Sequence, residues 1–255
     1  MIYNRLIKAK QEQHKQLAVL IDPDKVTETH LSHLLHHAIQ AGVDYFFVGG
    51  SLVMDANATR WIKHIKQRCN IPVIIFPGSP MQINPHADAI FFLSLISGRN
   101  PELLIGHHVL AAPLLKQMDI EVMPTGYLLI DGGAPTTVSY ISNSQPIPNN
   151  KPQIALCTAL AGEMLGMKVI YLDSGSGAKL PVSETMIKTV SKNIDIPLIV
   201  GGGIRTPERA YKTCAAGADL IVVGNAFEKQ PELIGELCQA VHSLNISPSS
   251  LSTSS

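Results

Sequence analysis

Short apolar runs alternate along the chain with longer stretches in which apolar residues recur every three or four positions. The first pattern predicts buried strands and the second amphipathic helices. The strand runs are LAVLI (Leu17–Ile21), DYFFVGG (Asp44–Gly50), IPVIIF (Ile71–Phe76) and ADAIFFLSLI (Ala87–Ile96). They continue with IEVMPTGYLLI (Ile120–Ile130), MKVIYLD (Met167–Asp173), IDIPLIVGGG (Ile194–Gly203) and ADLIVVGN (Ala218–Asn225). Between and after them the helical period covers about Glu28–Gln40, capped near Thr27, then Ala58–Arg68, Pro101–Gln117, Pro152–Leu165, Ser183–Lys192, Thr206–Ala216 and Pro231–Leu244. After the third strand the pattern weakens, because GSPMQINPH (Gly78–His86) and the preceding Pro77 hold three prolines and too little period for a full helix. The polar stretch Asp131–Lys151, rich in Gly, Pro, Ser and Asn, predicts a long loop or irregular insertion.

Eight strands with intervening helices point to the α/β class, as a single (β/α)8 TIM-type barrel with a modified third unit, rather than an open doubly wound sheet. The barrel is expected over residues 1–245, and residues 246–255, ending in SPSSLSTSS, are expected to be a disordered tail.

Composition narrows the class. Of 255 residues, 45% are apolar and 16% charged, ample for a core and incompatible with wholesale disorder. Lys+Arg and Asp+Glu number 20 each with no basic block, which argues against a nucleic-acid partner. No apolar run approaches the roughly 20 residues needed to span a bilayer, and the start MIYNRLIKAKQEQHKQ does not read as a signal peptide. Cys69, Cys157, Cys214 and Cys238 are far apart without a CxxC pair and read as reduced thiols. A cytoplasmic globular protein, an enzyme, is the expectation.

Barrel chemistry sits where strands end and βα loops begin. Strand seven ends in Gly201-Gly202-Gly203-Ile204-Arg205-Thr206 and strand eight in Gly224-Asn225-Ala226. Glycines at these adjacent loops let main-chain N–H groups approach a phosphate; turns that merely need positive φ are the plainer alternative. Strand six supplies Tyr171-Leu172-Asp173-Ser174-Gly175-Ser176-Gly177-Ala178. Strand alternation puts Tyr171 and Asp173 on one face and Leu172 on the other. A carboxylate at a barrel mouth suits a general base for a substrate hydroxyl; an Asp capping the next turn is the alternative. Across the mouth, Asp22 in Ile21-Asp22-Pro23-Asp24-Lys25 and Ser51 after Gly49-Gly50 offer oxygen donors for Mg²⁺, although Asp22-Pro23-Asp24 reads equally as a turn and helix cap.

Eight segments in order resemble the geranylgeranylglyceryl phosphate synthase family, which includes the heptaprenylglyceryl phosphate synthases. They are LIDPDK (Leu20–Lys25), FVGGS (Phe47–Ser51), PVIIFPGS (Pro72–Ser79), FFLSLISGRNPELLIGHH (Phe91–His108), PTGYLLIDGG (Pro124–Gly133), YLDSGSGA (Tyr171–Ala178), VGGGIRTPE (Val200–Glu208) and VVGNAFE (Val222–Glu228). PTGYLLIDGG and the insertion after it look like the longer archaeal and Bacteroidetes branch. The resemblance implies an Mg²⁺-assisted prenyltransferase of phospholipid biosynthesis. Such an enzyme joins a polyprenyl diphosphate to the C3 hydroxyl of sn-glycerol 1-phosphate and releases diphosphate. By position it implies Asp22 and Ser51 at the metal. Tyr171, Leu172, Asp173, Ser174, Gly175, Ser176, Gly177, Gly202, Gly203, Gly224 and Asn225 would bind glycerol phosphate, with Tyr127 near the substrates. It also implies a homo-oligomer and a peripheral contact with the membrane lipid product. One departure stands out: Asp173 occupies a position where the family usually has Glu.

Phe91, Phe92, Leu93, Leu95 and the weakened third unit are candidate walls for an apolar chain, although aromatics there also serve a strand core. His30, His33 and His37 share a helix face and read as surface positions rather than a metal site, and His107-His108 as helix positions. Two other readings stay open. One is another phosphate-binding barrel enzyme of the isomerase, aldolase or epimerase type. The other is a non-catalytic phosphoglycerol binder, which only Asp173 in place of Glu favours.

Overall fold

The computed structural model describes residues 1–54 and 58–245; the expected tail at 246–255 lies outside them. Eight parallel strands pair in chain order and close into a barrel. These are β1 (Gln16–Ile21), β2 (Tyr45–Gly50), β3 (Val73–Pro77), β4 (Ala89–Leu95), β5 (Glu121–Leu129), β6 (Val169–Asp173), β7 (Leu198–Gly201) and β8 (Leu220–Val223). The last pairing, Val19 beside Val223, joins β1 to β8 and decides for the closed barrel.

Alternation along each strand divides the core in two. Tyr45, Phe47, Ile74, Phe91, Met123, Tyr127, Val169 and Tyr171 point inward and fill the barrel. Their neighbours Phe46, Val48, Val73, Ile75, Ile170 and Leu172 face the helix layer. A Phe47–Phe91 edge-to-face pair, centroids 4.9 Å apart, packs the interior.

The helices follow the predicted positions: α2 (Glu28–Ala41), α3 (Ala58–Lys66), α4 (His107–Leu115), α6 (Pro152–Met164), α7 (Glu184–Ser191), α8 (Pro207–Ala215) and α10 (Leu233–His242). Caps fix several starts. Thr27 Oγ1 accepts from the His30 amide at 3.2 Å and Thr206 Oγ1 from that of Arg209 at 3.2 Å. Three further helices are α1 (Ile2–Gln11), α5 (Thr137–Ser142) and α9 (Asn225–Lys229). In α1, Ile2 and Leu6 join the barrel's inner cluster and close its floor. The Glu121 carboxylate at the start of β5 accepts from the Ile2 amide and, at 3.1 Å, from that of Tyr3.

The insertion 131–151 is more ordered than its composition predicts. It holds α5, started by a reciprocal cap between Thr136 and Ser139, and returns to the barrel through a bridge between Ile130 and Ile147. The third unit is reduced as expected: only a 3₁₀ turn, Pro80–Gln82, separates β3 from β4. The helix after β4 opens with a π-helical turn, Glu102–Gly106, and continues as α4 past Pro113. Among the described residues no helix is long and apolar enough to cross a membrane. All four cysteines are unpaired, and burial pushes the Cys214 and Cys238 thiols up to about 12.

Candidate active site

The carboxyl ends of the strands surround a cavity of about 400 Å³. Its walls come from both sides of the mouth that the sequence singled out. Asp22, Gly50 and Ser51 stand at the ends of β1 and β2; Tyr171 and Asp173 lie in the last residues of β6, with Gly175, Ser176 and Gly177 in its loop; Gly202, Gly203, Gly224 and Asn225 follow β7 and β8.

Close approach of the β6 and β7 loops explains the glycines. Gly202 and Gly203 have φ of +81° and +70°. A Cβ on Gly202 would lie 2.8 Å from Asp173 Oδ1 and 2.9 Å from the nitrogens of Ser174 and Gly175. No larger residue fits between those loops without moving them. Ser176 Oγ and Asn225 Nδ2, 3.1 Å apart, link the β6 loop to the segment after β8.

Asp173 ends β6 with its side chain inward and 8% of the residue exposed. Tyr127 Oη donates to its Oδ2 at 2.7 Å, and the Gly175 amide donates to Oδ1 at 2.7 Å. Burial raises the Asp173 pKa above the ordinary 3.8, although both hydrogen bonds oppose the shift by favouring the carboxylate. Burial, reinforced by the Asp173 charge, also holds the Tyr127 and Tyr171 phenols well above 10.0. The phenols therefore stay protonated, and the buried carboxylate is the one basic group between them.

The opposite wall carries charge at the surface. Lys25 Nζ lies 2.9 Å from Asp22 Oδ2 and 3.5 Å from Glu228 Oε1. Burial alone would lower the Lys25 pKa, but its hydrogen bond to Asp22 and the field of Glu228 outweigh it and the net shift is upward. The strand ends are side by side, since a Cβ on Gly50 would sit 3.9 Å from Asp22 Oδ2. Gln82, in the turn that replaces the third helix, donates through Nε2 to the Gly50 carbonyl at 3.1 Å.

An apolar cleft opens off this cavity and shares Gly50, Ser51 and Phe76 with it. Phe91, Phe92, Leu93 and Leu95 line it together with Leu103 from the π-helical turn and Ile141 from α5. The missing third helix leaves this side of the barrel open. Phe76, Tyr127 and Tyr171 form the partition between the two spaces, with ring centroids 5.2 to 6.1 Å apart.

Most residues expected at the site converge there, with three differences. Leu172 faces the helix layer and Ser174 is enclosed, so neither side chain lines the cavity, while the other five residues of the run 171–177 do. Tyr127 lines the apolar cleft and reaches the polar cavity only through Asp173. His107 and His108 are helix positions as predicted, yet both also line the cleft; His108 Nε2 lies 3.2 Å from Ser94 Oγ, and burial lowers its pKa. Lys25, Arg205 and Glu228 line the polar cavity although the sequence reading gave them no role there.

The profile of the PcrB family matches residues 8–241. The chain belongs to the PcrB family. Among similar members, a geranylgeranylglyceryl phosphate synthase of Chitinophaga pinensis is 57% identical over 94% of this chain and 96% of its own length. One from Thermococcus kodakarensis is 46% identical over 88% of each chain. Among solved structures, the (S)-3-O-geranylgeranylglyceryl phosphate synthase of Thermoplasma acidophilum, in complex with its substrate sn-glycerol-1-phosphate, superposes with a TM-score of 0.90. It is 36% identical and covers 95% of this chain and 99% of that one. The resemblance read from the motifs is thereby borne out for this PcrB-family chain. A tryptophan synthase alpha chain from Legionella pneumophila, at a TM-score of 0.60 and 15% identity, shares the barrel fold alone.

Proposed function

We propose that this protein transfers a polyprenyl group from its diphosphate to the C3 hydroxyl of sn-glycerol 1-phosphate, forming an ether-linked lipid precursor. The observation that carries this reading is the pair of joined spaces. A polar, glycine-edged cavity with a buried carboxylate suits a phosphorylated triol, and the apolar cleft that shares Phe76 with it suits a long hydrocarbon. An isomerase or aldolase of small phosphates has no use for the second space.

In this reading the glycerol phosphate lies with its phosphate at the Gly203 and Gly224 loops and its hydroxyls toward Asp173. The prenyl chain occupies the cleft, its C1 at the partition. The C3 oxygen forms a bond to C1 as the C1–O bond breaks, and the electron pair of that bond leaves with diphosphate. The hydroxyl proton passes to the Asp173 carboxylate, which Tyr127 and Gly175 hold in place. Orienting oxygen and carbon across the partition removes much of the entropic barrier.

Asp22, Ser51, Asp24 and Glu228 present only oxygen donors at the other wall, a set that fits a hard cation. Asp22 and Ser51 would hold Mg²⁺, which supplies charge neutralisation for a departing diphosphate when bound. Lys25 adds a second positive group there. The exposed face of α4, with Val109, Leu110 and Leu114, supports self-association. Exposed Met81 and Tyr140, beside cleft residues Pro80 and Ile141, support a peripheral contact with lipid.

Binding of the acceptor alone tests the polar half. Titration calorimetry with sn-glycerol 1-phosphate is expected to show one saturable site without any prenyl donor. Asn225→Asp, nearly isosteric but anionic beside the phosphate loops, should weaken it by about tenfold or more. Heat of binding that is absent, or unchanged in the variant, would remove the phosphate from this cavity.

A further inference from the structure

We propose that His33, His37 and Glu232 bind a single Zn²⁺ ion, a second site on the outside of the barrel that ties α2 to the start of α10. His33 and His37 are one helical turn apart on α2, so their side chains project from the same face. Their Nε2 atoms already lie 3.1 Å apart. Two imidazole nitrogens bound at about 2.0–2.1 Å to a tetrahedral Zn²⁺ stand roughly 3.3 Å from one another, so the pair is spaced for bidentate capture as it stands.

Glu232 comes from a distant part of the chain, at the residue preceding α10. One ligand atom from each of the three side chains lies within 4.8 Å of the others. Glu232 is exposed, and with the imidazoles already at bonding separation the distance left to close is the one to its carboxylate, within 4.8 Å. The fourth position faces solvent and is left to water. The donor types settle the class of ion. Two imidazoles with one carboxylate suit a borderline divalent metal and not Mg²⁺ or Ca²⁺, which prefer oxygen alone.

The placement gives the ion a consequence. Asn225, on the rim of the polar cavity, begins α9, and Glu232 comes seven residues after it. An ion held by Glu232 and α2 fastens the far end of the segment that carries Asn225 and Glu228. The ion acts by tethering these two segments, and its site is separate from the oxygen-lined wall of Asp22 and Ser51.

The test uses the full chain, stripped of metal by a chelator and titrated with ZnCl₂ in a calorimeter. One Zn²⁺ per chain is expected to bind in the micromolar range and to raise the thermal midpoint by about 5 °C at a hundredfold excess over Kd. His33→Ala and His37→Ala should each weaken binding by about tenfold or more and Glu232→Gln by several-fold, while Asp22→Ala should leave it unchanged. Co²⁺ in place of Zn²⁺ should give visible absorption bands that disappear in His37→Ala. Absent saturable binding, or binding that survives in the His33→Ala/His37→Ala double variant, overturns the site. Loss in Asp22→Ala would assign the ion to the mouth of the barrel and overturn it as well.

Discussion

Asp173→Asn is expected to lower kcat/KM for prenyl transfer by about 10²–10⁴-fold, the range that a positioned general base contributes. The amide keeps the shape of the carboxylate and can still meet Tyr127 Oη, which lies 2.7 Å from Oδ2, but it cannot accept the hydroxyl proton. The fold should not suffer. Burial raises the folded-state pKa of Asp173 above its unfolded value of 3.8, so its contribution to stability is fully present below that value and is lost as pH rises through the folded pKa. At neutral pH an ionised Asp173 is therefore a cost, and Asp173→Asn should melt at the same temperature as the parent or higher. Calorimetric melting beside steady-state kinetics separates the two effects.

The same shift places the acid limb of the kcat/KM profile above pH 3.8, with activity rising as the carboxylate ionises. The Tyr127 hydrogen bond opposes the upward shift. Tyr127→Phe removes it, so the acid limb should move to higher pH. A limb that stays in place in Tyr127→Phe, or an Asp173→Asn enzyme within threefold of the parent (about 0.6 kcal/mol), would exclude Asp173 as the base.

Asp22→Ala is the second large effect, an expected loss of at least about 10²–10³-fold in kcat, the scale seen when one preorganised group facing a developing charge is removed. Asp22 lies at the ends of β1 and β2, three strands around the barrel from Asp173 on β6, with the Gly224 loop of β8 as its neighbour. Its removal should therefore spare acceptor binding. Lys25 keeps Glu228, 3.5 Å away, as a partner, so no uncompensated charge is left behind. Calorimetry should return an unchanged affinity for sn-glycerol 1-phosphate beside the lost turnover. The dependence of the remaining rate on Mg²⁺ should shift to higher concentration. Equal loss of acceptor binding would show that Asp22 shapes the whole cavity rather than the donor's half of it.

The eight strands were legible because each is a short apolar run, and the ends mattered more than the middles. Gly202, Gly203, Gly224 and Asn225 are visible in sequence as glycine-bearing stops, and the barrel puts those stops in one place. Alternation along β6 was legible too, and it correctly turned Tyr171 and Asp173 inward and Leu172 outward.

Other features needed the fold. The α1 helix carries its buried residues Ile2, Leu6 and Ala9 at helical spacing, but polar residues dilute the pattern. The six-residue α5 is too short for periodicity to reveal among Gly, Pro and Ser, although its Thr136–Ser139 cap is local. Lys25 and Glu228 meet only because β8 closes beside β1. Glu232 is remote in sequence from His33 and His37, so the histidines alone read as a surface face.

The most direct measurement of the central claim is a product assay. Purified protein, Mg²⁺ and radiolabelled sn-glycerol 1-phosphate are combined separately with geranylgeranyl, farnesyl and heptaprenyl diphosphates. The account predicts a labelled product that partitions into organic solvent, forms with at least one donor, and disappears with EDTA. Acceptor binding without an extractable product from any donor would contradict it and leave a barrel that holds glycerol phosphate without transferring a prenyl chain to it.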